Sequence, residues 1–226
     1  MATYTTDDIL RDVRVALDEN GMTPALLAAG DPDTLTLDEI IFSKIEEGVR
    51  RVHSTAPIHA LDAENNFDEN GICWEAPAGG DVAGSAGRNT FAGRMRLPAD
   101  FLRLVAFRMS DWQRTVYTAT TAGEPEYELQ ASRYAGVRGT PQRPVVAIVM
   151  RPGGLWLEFF SCRSREATVH TALYLPEPHI DPDGGIKICT RCYKAAVYMI
   201  AALTLATVGE AEKAQVLTDL GKGYIV

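Results

Sequence analysis

The chain is 226 residues long, 46% hydrophobic and 23% charged, with a formal net charge of −8 and a sequence pI near 5.0. These values exclude wholesale disorder and a fibrous repeat. They also argue against a protein that grips nucleic acid, because phosphate binding is driven by Lys and Arg releasing counterions.

The opening Thr3-Tyr4-Thr5-Thr6-Asp7-Asp8 has no basic and apolar leader, so export by a standard signal is not expected. A first helix is predicted from Thr5 or Thr6 to about Asn20-Gly21, with Asp7 and Asp8 at the positive end of its dipole. Ile9, Val13, Ala16 and Leu17 recur at helical spacing and form its buried stripe. A second helix opens with a capping box, Thr36 and Glu39, carries Ile41, Ile45, Val49 and Val52 on one face, and ends before Pro57.

Residues 63–94 turn to Asn, Asp, Gly and Ala and read as an exposed glycine-rich loop around a short Ile72-Cys73-Trp74 strand. Ordering so many glycines costs more backbone entropy than the segment recovers by burial, so 76–90 is expected to order only against a partner.

Residues 95–178 read as a β module. The apolar runs 101–107, 145–150 and 155–160 have strand length, 168–174 alternates, and Pro152-Gly153-Gly154 signals a hairpin. Short connections favour antiparallel pairing.

Beyond the breaks at Pro176, Pro178 and Pro182, a long helix is predicted from Ile186 to Val208, interrupted by Gly209. A shorter one follows from Glu210 to Leu220, capped by Gly221. The apolar run 195–208 is shorter than the roughly 20 residues of a membrane span and reads as a buried helix, so no membrane partner is expected. The expected fold is α+β: N-terminal helices (1–62) and C-terminal helices (186–226) packed together, with the antiparallel β module inserted between them.

Charge is unevenly spread. Residues 1–70 hold 15 Asp/Glu against 5 Lys/Arg, and residues 71–170 hold 9 against 12, all twelve being arginine. Arg suits bidentate and interface contacts, and opposite potentials in one chain suit association between copies.

Cys189-x-x-Cys192 is the one pattern whose spacing has a chemical meaning, a metal or redox dithiol. Cys73, Cys162, His170 and His179 are available as further ligands, but no second pair completes a recognised set, so small buried thiols are the expected role and no metal or other cofactor is expected. Four cysteines in a chain of this length give no secreted disulfide framework and fit a reducing cytosol. The four histidines are scattered, Gly136-Val137-Arg138-Gly139 lacks the lysine of a phosphate loop, and no nucleophile has a partner base in sequence, so no enzymatic activity is expected.

The stretch from Leu97-Pro98-Ala99-Asp100-Phe101-Leu102-Arg103-Leu104 through Arg108-Met109-Ser110-Asp111-Trp112, with the later Gly136-Val137-Arg138-Gly139-Thr140-Pro141-Gln142-Arg143-Pro144 loop, resembles head-to-tail connector proteins of tailed bacteriophages. The nearest type is the ring or adaptor proteins of crAss-like phages and related Bacteroidales prophages. The acidic N-terminal helices and the apolar C-terminal helix extend the resemblance over most of the chain.

The resemblance implies a virion structural protein, made in the bacterial host cytoplasm, that forms a homo-oligomeric ring between portal and tail. DNA would pass through without specific binding. On this reading Arg133, Arg138, Arg143 and Trp112 are the candidate interface residues. Two alternatives remain: another tail or baseplate protein of the virion, and a metal-binding or redox protein using Cys189 and Cys192.

Overall fold

The computed structural model describes residues 1–19, 35–63, 65–66, 71–75, 91–132, 134 and 136–225. The glycine-rich segment 76–90 and Arg133 lie outside the described residues.

In chain order, strand β1 (Ala2–Thr5) leads into helices α1 (Thr6–Glu19) and α2 (Leu37–Thr55). There follow β2 (Asn65–Asn66), β3 (Cys73–Trp74), β4 (Phe91–Arg96), β5 (Phe101–Met109), β6 (Thr120–Thr121), helix α3 (Pro125–Leu129), β7 (Val145–Arg151), β8 (Gly154–Cys162) and β9 (Val169–Pro176). Strand β10 (Gly185–Ile188) and helices α4 (Tyr193–Thr207) and α5 (Ala211–Gly223) complete the order. The fold is α+β, and the strands pair antiparallel except where two-residue β6 runs parallel to β7.

The chain divides into two compact units: unit 1 is Met1–Ala63 with Glu177–Val226, and unit 2 is Glu64–Pro176.

Unit 1 is built around α4, against which α1, α2 and α5 all pack. Helix α1 starts where Thr5 Oγ1 accepts the Asp8 N–H at 3.1 Å, and Ile9, Val13, Ala16 and Leu17 are all buried. Helix α2 starts on the reciprocal cap: Thr36 Oγ1 accepts from the Glu39 N–H, and the Glu39 carboxylate accepts from the Thr36 N–H at 2.7 Å. Its stripe of Ile41, Ile45, Val49 and Val52 is buried to 1% exposure or less. Gly48 lets α2 approach α4 closely, since a Cβ there would lie 2.4 Å from Ile200 Cγ1. Helix α4 is so rich in Ala because it has neighbours on several sides and small side chains bring helix axes together.

The long helix predicted from Ile186 does not form as such. Residues 185–188 are strand β10, paired with β1 in the register Ala2↔Ile188 to Thr5↔Gly185. Ile186 and Ile188 point inward and Lys187 outward, a period of two. A 3-10 turn at Thr190–Cys192 then opens α4 at Tyr193. Gly221 lies inside α5, against Tyr198, and does not cap it.

Unit 2 holds a three-stranded sheet, β2-β9-β5, and a five-stranded sheet, β3-β4-β8-β7-β6. Pro152-Gly153 makes the two-residue β7–β8 loop, with Arg151 opposite Gly154 and Gly153 at φ 98°, a backbone angle that glycine tolerates. The core is aromatic: Phe107, Trp112 and Phe159 are at most 2% exposed, and Phe107 lies 5.6 Å from both partners, centroid to centroid. Strand β4 starts at Phe91, inside the region expected to be loop. Gly93 and Met95 turn inward there while Arg94 and Arg96 are more exposed, an alternation the glycine-based reading overlooked.

Candidate functional site

The Cys-x-x-Cys pair sits where β10 ends and the 3-10 turn leads into α4. Cys189, Cys192 and His53 are all fully buried. The Cys189 N–H donates to His53 Nε2 at 3.2 Å, the Thr190 N–H to Asp62 Oδ2 at 2.9 Å, and Cys192 Sγ to the Ala60 carbonyl at 3.6 Å. Cys189 is held below the usual thiol range, to about 5, first by the hydrogen bond from Cys192 and then by His53 and the Asp62 contact. Cys192 is pushed far up, by its contact with Cys189 and by burial. Chemically this is a sequestered dithiol with one acidic member. Among the described residues no group of three or more His, Cys, Asp or Glu side chains is placed to hold a metal ion.

In unit 2, the described part of the segment from α3 to Pro144 covers part of the β8 face beside an open cavity of about 370 Å³, lined in part by Tyr127, Gln130, Arg138, Arg151, Glu158 and Ser161. Glu158, 5% exposed, pairs with Arg151 and accepts the Tyr127 O–H at 2.9 Å. Burial and then the bond to Glu158 raise the Tyr127 phenol above its usual range, and the Glu158 bond raises the Arg151 guanidinium. Gln130 pins the covering segment by accepting the Gly139 N–H at 2.9 Å and donating to the Glu126 carbonyl. Ser161 is buried with φ 89°, a strained angle for a residue with a Cβ.

The interface residues expected from sequence separate on this scaffold. Arg143 is exposed in the tight turn where Thr140 and Arg143 exchange backbone hydrogen bonds. Arg138 is half-buried and lines the cavity. Trp112 is 2% exposed and packs edge-on to Phe107, so it belongs to the core and offers no surface to a second molecule. Arg114 and Arg163, not singled out from sequence, are exposed in the same unit.

The division of charge follows the division into units. Unit 1 holds 18 Asp/Glu against 10 Lys/Arg and so carries the whole net charge of −8. Unit 2 holds 12 of each, and all its bases are arginine; the five lysines lie in unit 1. No protein-family model matches the chain, and no curated protein shows a significant match to it.

Sequence reasoning missed Glu158, Tyr127 and Ser161. A signal for Glu158 was present, as it is the one charge inside the apolar run 155–160, and a charge buried on a strand needs a partner such as Arg151. Ser161 gave no such signal, because a positive φ at a serine leaves no mark in composition or spacing. Among the described residues no helix is long and apolar enough to cross a membrane.

Proposed function

We propose that the chain is a non-enzymatic virion structural protein, a head-to-tail adaptor whose copies close into a ring between portal and tail through which DNA passes. The observation that carries this reading is the partition of charge: an acidic helical unit and a neutral unit that displays arginine. Rings close through heterologous contacts, in which each copy presents one surface to a different surface of the next. Two unlike units in one chain supply two unlike surfaces. Opposite potentials then steer docking and fix register. An acidic lining would let a duplex pass without gripping it, because it offers no phosphate neutralisation. The resemblance of the 97–112 and 136–144 stretches to connector proteins points the same way.

The second reading, a redox role for Cys189 and Cys192, is favoured by the acidity of Cys189 but opposed by the complete burial of both thiols, since reactive cysteines are normally accessible.

The test is electron microscopy of the purified chain, alone and mixed with portal rings. Annular particles, or an added annular layer on the portal, are expected. A chain that stays monomeric and leaves the portal unchanged contradicts the adaptor reading.

A further inference from the structure

We propose that Cys189 and Cys192 close a reversible disulfide with each other when the folded chain meets hydrogen peroxide or another small peroxide, and that no other pair of its cysteines does so. This chemistry belongs to unit 1 and does not depend on copies forming a ring.

The backbone places the two residues for it. The Cys192 N–H donates to the Cys189 carbonyl at 2.8 Å, which closes an i to i+3 turn ahead of α4. In such a turn side chains three residues apart eclipse, and their Cα atoms lie within about 7 Å. A disulfide spans Cα atoms roughly 4.4–6.8 Å apart, so the bond asks for little movement of the chain.

Both cysteines are fully buried, whereas Thr190 and Arg191 between them are exposed, so the pair lies directly beneath a surface turn. That turn is held by exposed hydrogen bonds, from the Thr190 N–H to Asp62 and from Arg191 Nη1 to the His59 carbonyl at 3.3 Å. Local opening of so small a cover admits a molecule the size of peroxide. Exchange with a thiol of another protein would need the sulfur itself brought out to the attacking group, and burial opposes that.

The thiolate is the attacking form, and the acidity of Cys189 supplies it. Its sulfur attacks one peroxide oxygen, the O–O bond breaks, and the departing hydroxide takes up the proton that Cys189 had released. Cys189 is then a sulfenic acid. The Cys192 sulfur attacks the Cys189 sulfur, the S–O bond breaks, and the second hydroxide leaves with the Cys192 proton as water. Two electrons pass from the thiols to peroxide, which ends as two waters.

The other cysteines lack this arrangement. Cys73 is exposed in unit 2, and Cys162 is buried there with its thiol pushed far up by burial and by Asp111. Neither has another cysteine close to it in sequence.

The experiment treats the folded, reduced full chain with hydrogen peroxide, alkylates the remaining thiols after unfolding, and maps tryptic peptides by mass. Trypsin cuts after Lys187, Arg191 and Lys194, so Cys189 and Cys192 fall in separate peptides, and a disulfide between them appears as one linked species about 2 Da lighter than the two together. That species is expected to form roughly tenfold faster, or more, than Cys162 is modified, and to vanish with dithiothreitol. Cys192→Ser should stop at a Cys189 sulfenic acid that dimedone traps, and Cys189→Ser should leave Cys192 open to alkylation. Circular dichroism checks the fold of each variant, and the wild-type map decides by itself if either unfolds.

Cys189 and Cys192 that both stay open to alkylation while Cys73 is oxidised overturn the proposal. So does a Cys189 that passes to sulfinic acid beside a free Cys192, a link that forms only in urea, or a link to Cys73 or Cys162 at a comparable rate. Each of these results leaves the adaptor reading standing.

Discussion

Unit 1 is closed by aliphatic and small side chains on helices, with Ile41, Ile45 and Val49 of α2 and Ile200 of α4 among the fully buried. Unit 2 is closed by aromatic rings between sheets, with Phe107, Trp112 and Phe159 at the centre. The first arrangement depends on how closely helix axes approach, the second on how well large rings fill a space. The same contrast appears on the surface, where unit 1 mixes lysine and arginine within an acidic excess and unit 2 uses arginine alone. A change that adds volume should therefore hurt unit 1, and one that removes volume should hurt unit 2.

The largest effect is expected from Phe159→Ala. Phe159 is fully buried, meets Trp74 edge-on at 5.5 Å, and lies against Gly93, so truncation leaves a cavity lined by rings. The cost is about 3–5 kcal/mol. Denaturant unfolding followed by tryptophan fluorescence reads it directly, since Trp74, Trp112 and Trp156 all lie in unit 2. In unit 1 the opposite change is informative. Gly48→Ala places a methyl group against Ile200 and forces α2 away from α4, at a cost of about 1–3 kcal/mol, read by circular dichroism at 222 nm.

The smallest effect concerns the cap of α2. Thr36→Ala removes the acceptor for the Glu39 N–H, a loss of about 1 kcal/mol. The bonds from Thr36 hold the Glu39 carboxyl below its usual range. A carboxylate with a lowered folded pKa contributes stability that is fully present above its unfolded pKa and is lost as pH falls through the folded value. Thr36→Ala keeps the backbone N–H, the larger of the two bonds to Glu39, and removes only the hydroxyl bond, so the variant should show a slightly flatter loss of stability on acidification than the wild type; a steeper loss would contradict the assignment.

How far these features were legible in the sequence follows from how local their causes are. The Thr36/Glu39 cap and the stripes on α1 and α2 are written within a few residues of one another. The Pro152-Gly153 loop is equally local, because one proline and the positive φ of Gly153 and Gly154 specify it. Strand β10 was misread because Ile186 and Ile188 suit a helix as well as a strand. What decides is the β1 partner almost the whole chain away. Trp112 was misplaced for a related reason: an amphipathic side chain reads as an interface anchor or as core, and the partners that settle it, Phe107 and Phe159, come from separate strands. The Glu158–Arg151–Tyr127 cluster needs the β7–β8 register and the placement of α3 together. By contrast, the lowering of the Cys189 thiol needs His53 and Asp62, brought in from α2 and the segment after it.

In the proposed ring, the arginine surface of unit 2 meets the acidic surface of unit 1 in the next copy. Exposed pairs contribute only about 0.2–1 kcal/mol each, so one substitution changes little, while a ring repeats every contact. The decisive measurement is particle mass at low and high salt for the wild type and for Arg114→Glu, Arg143→Glu, Arg163→Glu combined, three positions exposed in unit 2. Wild-type rings are expected to weaken as salt rises, and the triple variant is expected to fold normally by circular dichroism without assembling. A triple variant that forms rings of wild-type mass at low salt would contradict it.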